Sequence, residues 1–451
     1  MSVWDQPAAR HILSRTRFGF TGNDVEYALS YSLDDFVDNV LLADANIPEP
    51  PGEWVDEDPI SNNTTVNNSR LKDLTAWWVD LMLSDESFRE KMVLFWHNHF
   101  VSEYNVVDYP QYMYIQNQLF RSFAFGNIKN LTKSVCIDPA MLIYLDGKKN
   151  KVGKPNENFA RELLELFTLG IGHYTENDIV EAARALTGWR IAGLGSVFKP
   201  SRFDNGVKTF LGSSGNFNHE DIVELIFSQD AASKWFCQKI YTAFVHYNPD
   251  DTIIDGLAEL LRASNFELKP VLSTLLKSQY FHSEDIRGAR IKSPVDLVVG
   301  SIKRFAVQDP DYSYIRTSVE DLQQELFEPP DVRGWEGQRK WISTNTYPMR
   351  NQFTDSIISG KKPNGRNMKF QVDVLGFARE FPSSENAEEF VNEVTQSLIQ
   401  FPISETRIQS LLETLLDGAA PYDWSTYDPQ AESRLQKFFM ALMRLPEFQL
   451  S

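Results

Sequence analysis

The sequence predicts an all-α protein: one large multi-helix body, a small β-ribbon or irregular loop insertion, and a C-terminal helical subdomain. Three observations carry this. Apolar residues recur at i, i+3, i+4 and i+7 through most of the chain, the spacing of one helix face. Alternation around glycines is confined to 189–215, where it predicts a β-ribbon or ordered loop. No repeat of fixed period, glycine-rich phosphate loop, dinucleotide fingerprint or Gly-x-Ser-x-Gly elbow is present, which removes the commonest enzyme classes. The predicted division is a main domain over 1–359, a linker at 360–370, and a subdomain over 371–451 packed on the main body.

In chain order, 8–42 reads as short helices, broken at Phe18-Gly19-Phe20-Thr21-Gly22 and restarted where Asn23 and Asp24 can cap. The prolines and the Asn/Thr run of 46–70 predict an irregular surface loop. Helices return with Leu74, Trp77, Trp78, Leu81 and Met82, and then over 87–100. In the second of these, Phe88, Met92, Phe95 and His99 fall on one stripe, which places an imidazole on an apolar face, while His97 points the opposite way. A buried imidazole needs a carboxylate, a backbone carbonyl or a metal as partner. Residues i and i+2 of a helix do not face each other, so His97 and His99 pair as metal ligands only if the helix ends there.

The stretch 156–170 concentrates the candidate chemistry. It is predicted as a helix starting at Pro155 or Asn156, with Gly170 just past its end. At about 100° per residue, Phe159, Ala160, Leu163, Leu164, Leu166 and Phe167 cover one side. Glu157, Asn158, Arg161, Glu165 and Thr168 cover the other. Glu162 sits at the seam beside Leu166 and Leu169, where desolvation raises a carboxyl pKa and suits it to act as an acid. Glu157, Arg161 and Glu165 at successive i, i+4 positions equally suit a solvated helix with weak ion pairs. The preceding turn places Lys148, Lys149, Lys151 and Lys154 beside this stripe, as an anion site or a solvated loop.

After Gly170, Thr175 and Asp178 form a capping box for a helix over 179–188, whose Arg184 can reach back across the connection. The 189–215 insertion carries Asp204 and Lys208 and is of a length that often covers a site. Helices are predicted from 220 to 305, with Pro294 near the first turn of the last. The irregular 328–341 offers Arg333, Trp335 and Trp341, residue types that line sugar pockets or cap a core. Helices near 385–400, 405–416 and 430–445 finish the chain.

A formal charge of -18 argues against a sequence-independent grip on nucleic acid or on an anionic membrane. Two cysteines, Cys136 and Cys237, give no disulfide framework and no four-thiolate zinc site. No run reaches ~18 uninterrupted apolar residues, so no membrane insertion is expected. With no basic, apolar leader visible, the expected location is cytoplasmic.

These residues carry a resemblance to the bacterial family known as domain of unknown function 1800. It rests on Ala8-Ala9-Arg10 with Phe18-Gly19, 95–100 (Phe-Trp-His-Asn-His-Phe), 155–170, Tyr174-Thr175-Glu176, Ala183-Arg184, Thr187-Gly188-Trp189, Lys292-Ser293-Pro294-Val295 and Gly334-Trp335. Members look like exported bacterial proteins, which implies a periplasmic or exported location. They are often encoded beside the domain of unknown function 1501 family, similar to the sulfatase and alkaline phosphatase group, which implies a partner. This chain has Phe203 before Asp204 where the family commonly has a His-Asp pair.

The functional expectation is a hydrolase-like enzyme acting on a glycan or similar polar polymer. Glu162 is its acid, Glu165 or Glu157 its base, Arg161 the orienting cation and His99 a buried partner or proton relay. Asn98, Asn158, Arg184, Asp204, Lys208, Arg333 and Trp335 are the candidate substrate contacts. A second version makes His99, Glu162 and Glu165 ligands of a divalent metal that activates water. The alternative is a non-catalytic scaffold or accessory protein that docks a partner.

Overall fold

The computed structural model describes residues 4–44, 46–59 and 64–451. Among these, 22 α-helices make the chain 59% helical, and β structure is limited to two small hairpins, so the all-α expectation holds. The hairpins fall where alternation predicted them: β1 (Trp189–Ala192) pairs with β2 (Gly195–Phe198), and β3 (Lys208–Phe210) with β4 (Ser213–Gly215).

One continuous apolar core runs from Ala9 to Phe448. The last long helices, Ala387–Leu398, Glu405–Leu416 and Ala431–Met443, bury their apolar faces in that same core. Residues 360–370 are a closed loop: Gly360, at φ 69°, ends the helix Thr346–Ser359, and the Met368 N–H returns to the Gly360 carbonyl at 2.8 Å. The end of the chain pairs with its middle, Ile291 bridging Leu450 and the Ser451 N–H donating to Arg290 O at 2.8 Å.

Local chemistry sets the boundaries, and twice it differs from the sequence expectation. The helix Gly22–Leu29 is capped by Thr21, with the Asp24 carboxylate accepting from the Thr21 N–H at 2.6 Å, rather than by Asn23 or Asp24. The helix Thr64–Ser84 begins inside the expected 46–70 loop. Its Asn67 shares a face with Leu71, Leu74 and Trp78 at i, i+4, i+7 and i+11, and the Asn67 amide donates to Asp108 O at 2.8 Å. A polar run is thereby tied into the core; residues 60–63 of the expected loop lie outside the described residues.

The helix Arg89–His99 buries seven of its eleven residues. Its Glu90 carboxylate is buried and receives Arg121 and Trp78. The Phe18-Gly19 motif is a crossing point: a Cβ at Gly19, whose φ is +82°, would lie 2.6 Å from the Gly300 carbonyl oxygen. Only glycine fits such an approach at a positive φ. The helix Gln6–Thr16, which leads into this motif, and the helix Pro294–Arg304, which carries Gly300, both line one cleft.

Candidate functional site: a cationic cleft beside the motif helix

The 156–170 stretch is one continuous helical run, α-helical over Glu157–Glu162 and π-helical over Leu163–Thr168. The wider π turn rotates everything after Leu163 relative to a regular helix. Thr168, expected on the polar side, is therefore fully buried, its hydroxyl donating to Leu163 O at 2.5 Å. The last carbonyls have no helical partner and are taken by two side chains. Trp235 Nε1 donates to Leu166 O at 3.1 Å, and His99 Nε2 lies 2.9 Å from Phe167 O. Gly170, at φ +80°, makes room for Trp235, whose ring would sit 2.8 Å from an added Cβ.

His99 thus finds the backbone-carbonyl partner that a buried imidazole requires. A carbonyl only accepts, so Nε2 carries the ring proton and Nδ1 remains an acceptor. Burial first, and then Lys239, push the imidazole pKa down to about 3, so the ring is neutral near pH 7. His97, on the opposite face, is buried as well, because this helix is covered on all sides: its ring packs 5.5 Å from Trp78 and 5.6 Å from both Phe327 and Trp335.

The polar stripe lies outside. Arg161 pairs with Glu176 at 2.9 Å and, more loosely, with Glu157 at 3.5 Å. Glu165 accepts from the Tyr174 hydroxyl at 3.2 Å, and Glu157 and Asn158 are exposed. Glu162 is half-buried; burial first, and then Glu165, raise its carboxyl above the usual range, the direction expected at the seam. His99, Glu162 and Glu165 are not gathered into a ligand set, since His99 turns inward to Phe167 while Glu165 is held outside by Tyr174. Among the described residues no three His, Cys, Asp or Glu side chains cluster as metal ligands.

The expected contacts on the insertion satisfy one another. Arg184 grips Asp204 at 2.9 and 3.1 Å and Glu181 at 2.8 Å. Fully buried Lys208 donates to Asp204 O, Gly206 O and Asn216 Oδ1 at 2.6 to 3.1 Å. These side chains hold the β3–β4 loop onto the helix Glu176–Ala185 instead of facing a ligand.

Five side chains that the sequence singles out do meet at a cleft of about 540 Å³: Asn98, His99, Arg333, Trp335 and Trp341. Asn98 is a clamp there. Its Oδ1 accepts from the Trp335 N–H at 2.7 Å and its Nδ2 donates to Trp335 O at 3.3 Å. Gly334, at φ +77°, has no room for a Cβ, which would lie 2.3 Å from Asn98 Oδ1. The two motifs are therefore halves of one contact. Asn98→Ala leaves the Trp335 amide without its acceptor and is expected to cost about 1–3 kcal/mol, read by urea unfolding; a change below about 0.5 kcal/mol would remove the clamp. Arg333 is exposed at the mouth and pairs with Asp331 at 2.8 Å.

The floor of the cleft is made of residues the motif reading did not single out: Arg15, Lys91, Lys239, Arg290 and Asp296. Arg15 caps the helix Asp230–Phe244, donating to Val245 O at 3.1 Å and also to Ile286 O. Lys91 pairs with Asp296 and lies 4.6 Å from the Phe18 ring centre. Burial pushes the Asp296 carboxyl up, but Lys91 and Arg290 together pull it below its usual value. Burial brings Arg290 down to about 10, with Asp296 opposing, and lowers Lys239 as well. Neither the Arg290 guanidinium nor the Lys239 ammonium has a hydrogen bond or ion pair among the described residues, although Lys239 lies 4.7 Å from the Trp235 ring centre. A signal for this floor exists in the sequence. Arg15 continues the buried stripe of Ala8 and Ile12 at i+7, and Lys91, Phe95 and Asn98 share one face at i, i+4 and i+7.

No helix is long and apolar enough to cross a membrane among the described residues. Searches of curated proteins and of solved structures return no match. The motifs that line the cleft or adjoin it, Phe18-Gly19, Asn98 with Gly334-Trp335, 155–170 and Lys292–Val295, are spread along the chain. The family model described as "Protein of unknown function (DUF1800)" matches residues 11–450, nearly the whole chain, and the protein belongs to that family.

Proposed function

We propose that the cleft is the ligand site of a hydrolase-like protein that takes an anionic stretch of glycan or a similar polar polymer. The observation that carries this is the pair Arg290 and Lys239, two cations lining a ligand-sized cleft with no hydrogen bond or close ion pair of their own among the described residues, Asp296 being paired with Lys91 and acting on Arg290 only at longer range. An arginine fork and a lysine point charge suit a carboxylate, sulfate or phosphate group. Trp335 and Trp341 line the other wall and offer ring edges to a sugar. The volume lies within the range of small-ligand sites.

The hydrolytic part of the proposal rests on Glu162. It makes no hydrogen bond among the described residues, its carboxyl is raised, and it stands one turn before Leu166, which lines the cleft. A proton donor near neutral pH needs such a shift. The test is calorimetric titration with oligogalacturonate and with a neutral cello-oligosaccharide, followed by a reducing-end assay. Arg290→Ala is expected to weaken the acidic sugar roughly tenfold or more, and Glu162→Gln to keep binding while abolishing cleavage. No binding of the acidic sugar by the folded protein would overturn the proposal.

The exposed ion-paired stripe Glu157–Arg161–Glu176 favours a second reading, a non-catalytic protein that docks a partner such as the neighbouring family. It predicts that charge reversal at Arg161 disrupts association while leaving the cleft unchanged.

A further inference from the structure

A second charged feature lies at the N-terminal end of the motif helix and shares no lining residue with the cleft. Lys148, Lys149, Lys151, Lys154, Arg190 and Arg202 line an open groove of about 710 Å³. The protein carries a formal charge of -18, so six cations in one groove run against its field. Only Lys149 has an acidic partner, Asp146 at 2.6 Å; among the described residues the other five make no ion pair. Glu157 is the one acid in the lining, and it faces Arg161 at 3.5 Å.

The groove is built rather than being a loose lysine loop. The turn closes on itself through the Lys151–Lys154 bridge, and the Val152 N–H donates to Arg202 O at 2.7 Å, which fixes two walls together. Asn150 pins the base, donating to Ala183 O at 2.8 Å and accepting from the Asn156 N–H at 2.9 Å. Arg190 is carried by β1, in register with Val197 of β2. Arg202 Nε is buried without a partner among the described residues.

We propose that this groove binds a phosphate-bearing polyanion, a short chain of phosphate groups. Five unpaired cations around one space call for several negative charges in a small volume, more than a single oxyanion carries. No aromatic side chain lines the groove, so it offers no platform on which bases stack. Its apolar lining is limited to Pro155 and Ile191, too little to anchor a protein interface. An acidic peptide would bring a main chain that needs hydrogen-bond partners of its own, whereas linked phosphates place charge at every centre and accept from arginine forks and lysines alike.

The experiment is titration of the full-length protein with sodium tripolyphosphate at low salt and at about 150 mM salt, with hexaglutamate and a single-stranded oligonucleotide in parallel. The expected result is salt-sensitive tripolyphosphate binding that persists in the cleft variant R290A and is weakened roughly tenfold or more when K151A/K154A or R190A is added to R290A, a background that removes the cleft as a competing phosphate site. Circular dichroism of each variant establishes that it is folded. Failure of tripolyphosphate to bind, or binding indifferent to the groove variants, would overturn the proposal. Tighter binding of hexaglutamate or the oligonucleotide would overturn it too, reassigning the groove to an acidic peptide or to nucleic acid. Because the cleft variant is carried through the same titrations, failure here is separable from failure of the glycan reading.

Discussion

Glu90→Ala is expected to destabilise the fold by about 3–5 kcal/mol, the cost of stranding a buried charge. The Glu90 carboxylate accepts Arg121 Nε at 2.7 Å and Nη2 at 2.8 Å, a bidentate fork, and Trp78 Nε1 at 2.9 Å. Arg121 is itself buried, with Nη1 donating to Asn117 at 2.8 Å and its guanidinium 4.9 Å from the Trp77 ring centre. Truncating Glu90 removes every carboxylate contact at once and leaves a guanidinium in a medium that solvates it poorly. The measurement is urea unfolding followed by far-UV circular dichroism. A loss under about 1 kcal/mol would mean that water reaches Arg121 and that the pair is not buried in solution.

The comparison that isolates the charge is Glu90→Leu with Arg121→Met. Replacing both partners by apolar groups of similar volume is often close to neutral, so the double variant is expected to recover the part of the single variant's loss that comes from the stranded charge. The unpaired Trp78 N–H then accounts for the remainder, about 1–3 kcal/mol. This network matters for the cleft because Glu90 opens the helix that also carries Lys91, Asn98 and His99. Its bidentate grip fixes the rotation of that helix, and with it the cleft face.

The fold class was legible because it depends on short windows. Apolar stripes, the capping box of Thr175 and Asp178, Pro294 near a helix start and alternation at 189–215 each act within a few residues. The candidate site is only half legible. Asn98, His99, Arg333 and Trp335 were reached from motifs, and they do converge. Yet Arg184, Asp204 and Lys208, which look equally functional by type, spend their polar atoms on one another. Residue type alone does not distinguish a side chain awaiting a ligand from one already satisfied. The π turn at Leu163–Thr168 has no sequence mark, so regular helical spacing puts Thr168 on the polar side while the structure buries it. The cleft floor draws on Arg15, Lys91, Lys239 and Arg290, four segments far apart in the chain. Only a cation on an apolar stripe, as at Arg15, hints at such a floor in advance.

His99→Gln is expected to flatten part of the protein's acid sensitivity, and the sign follows from which state holds the proton. In the folded protein the His99 imidazole titrates at about 3, pushed down by burial and then by Lys239, against 6.5 for an exposed histidine. Between those two values the unfolded chain binds a proton that the folded chain refuses. Stability therefore falls as pH drops through 6.5, and the loss is complete only below the folded value. At pH 5 the contribution is on the order of 2 kcal/mol, and at pH 7 it is small. Glutamine places an amide N–H near the position of Nε2, so the bond to Phe167 O is retained while the titration is removed. Asp138 and Glu328, each raised to about 7 with burial as the leading cause, shift stability in the opposite sense. His97, brought to about 3 by burial, acts in the same sense as His99. All three are present in both proteins and cancel in the difference. Urea unfolding of wild type and His99→Gln at pH 7 and pH 5 reads that difference directly. Parallel losses in the two proteins would show that His99 is hydrated and protonated within the folded state, and would return it to the cleft as a titrating group instead of a neutral cap on the motif helix.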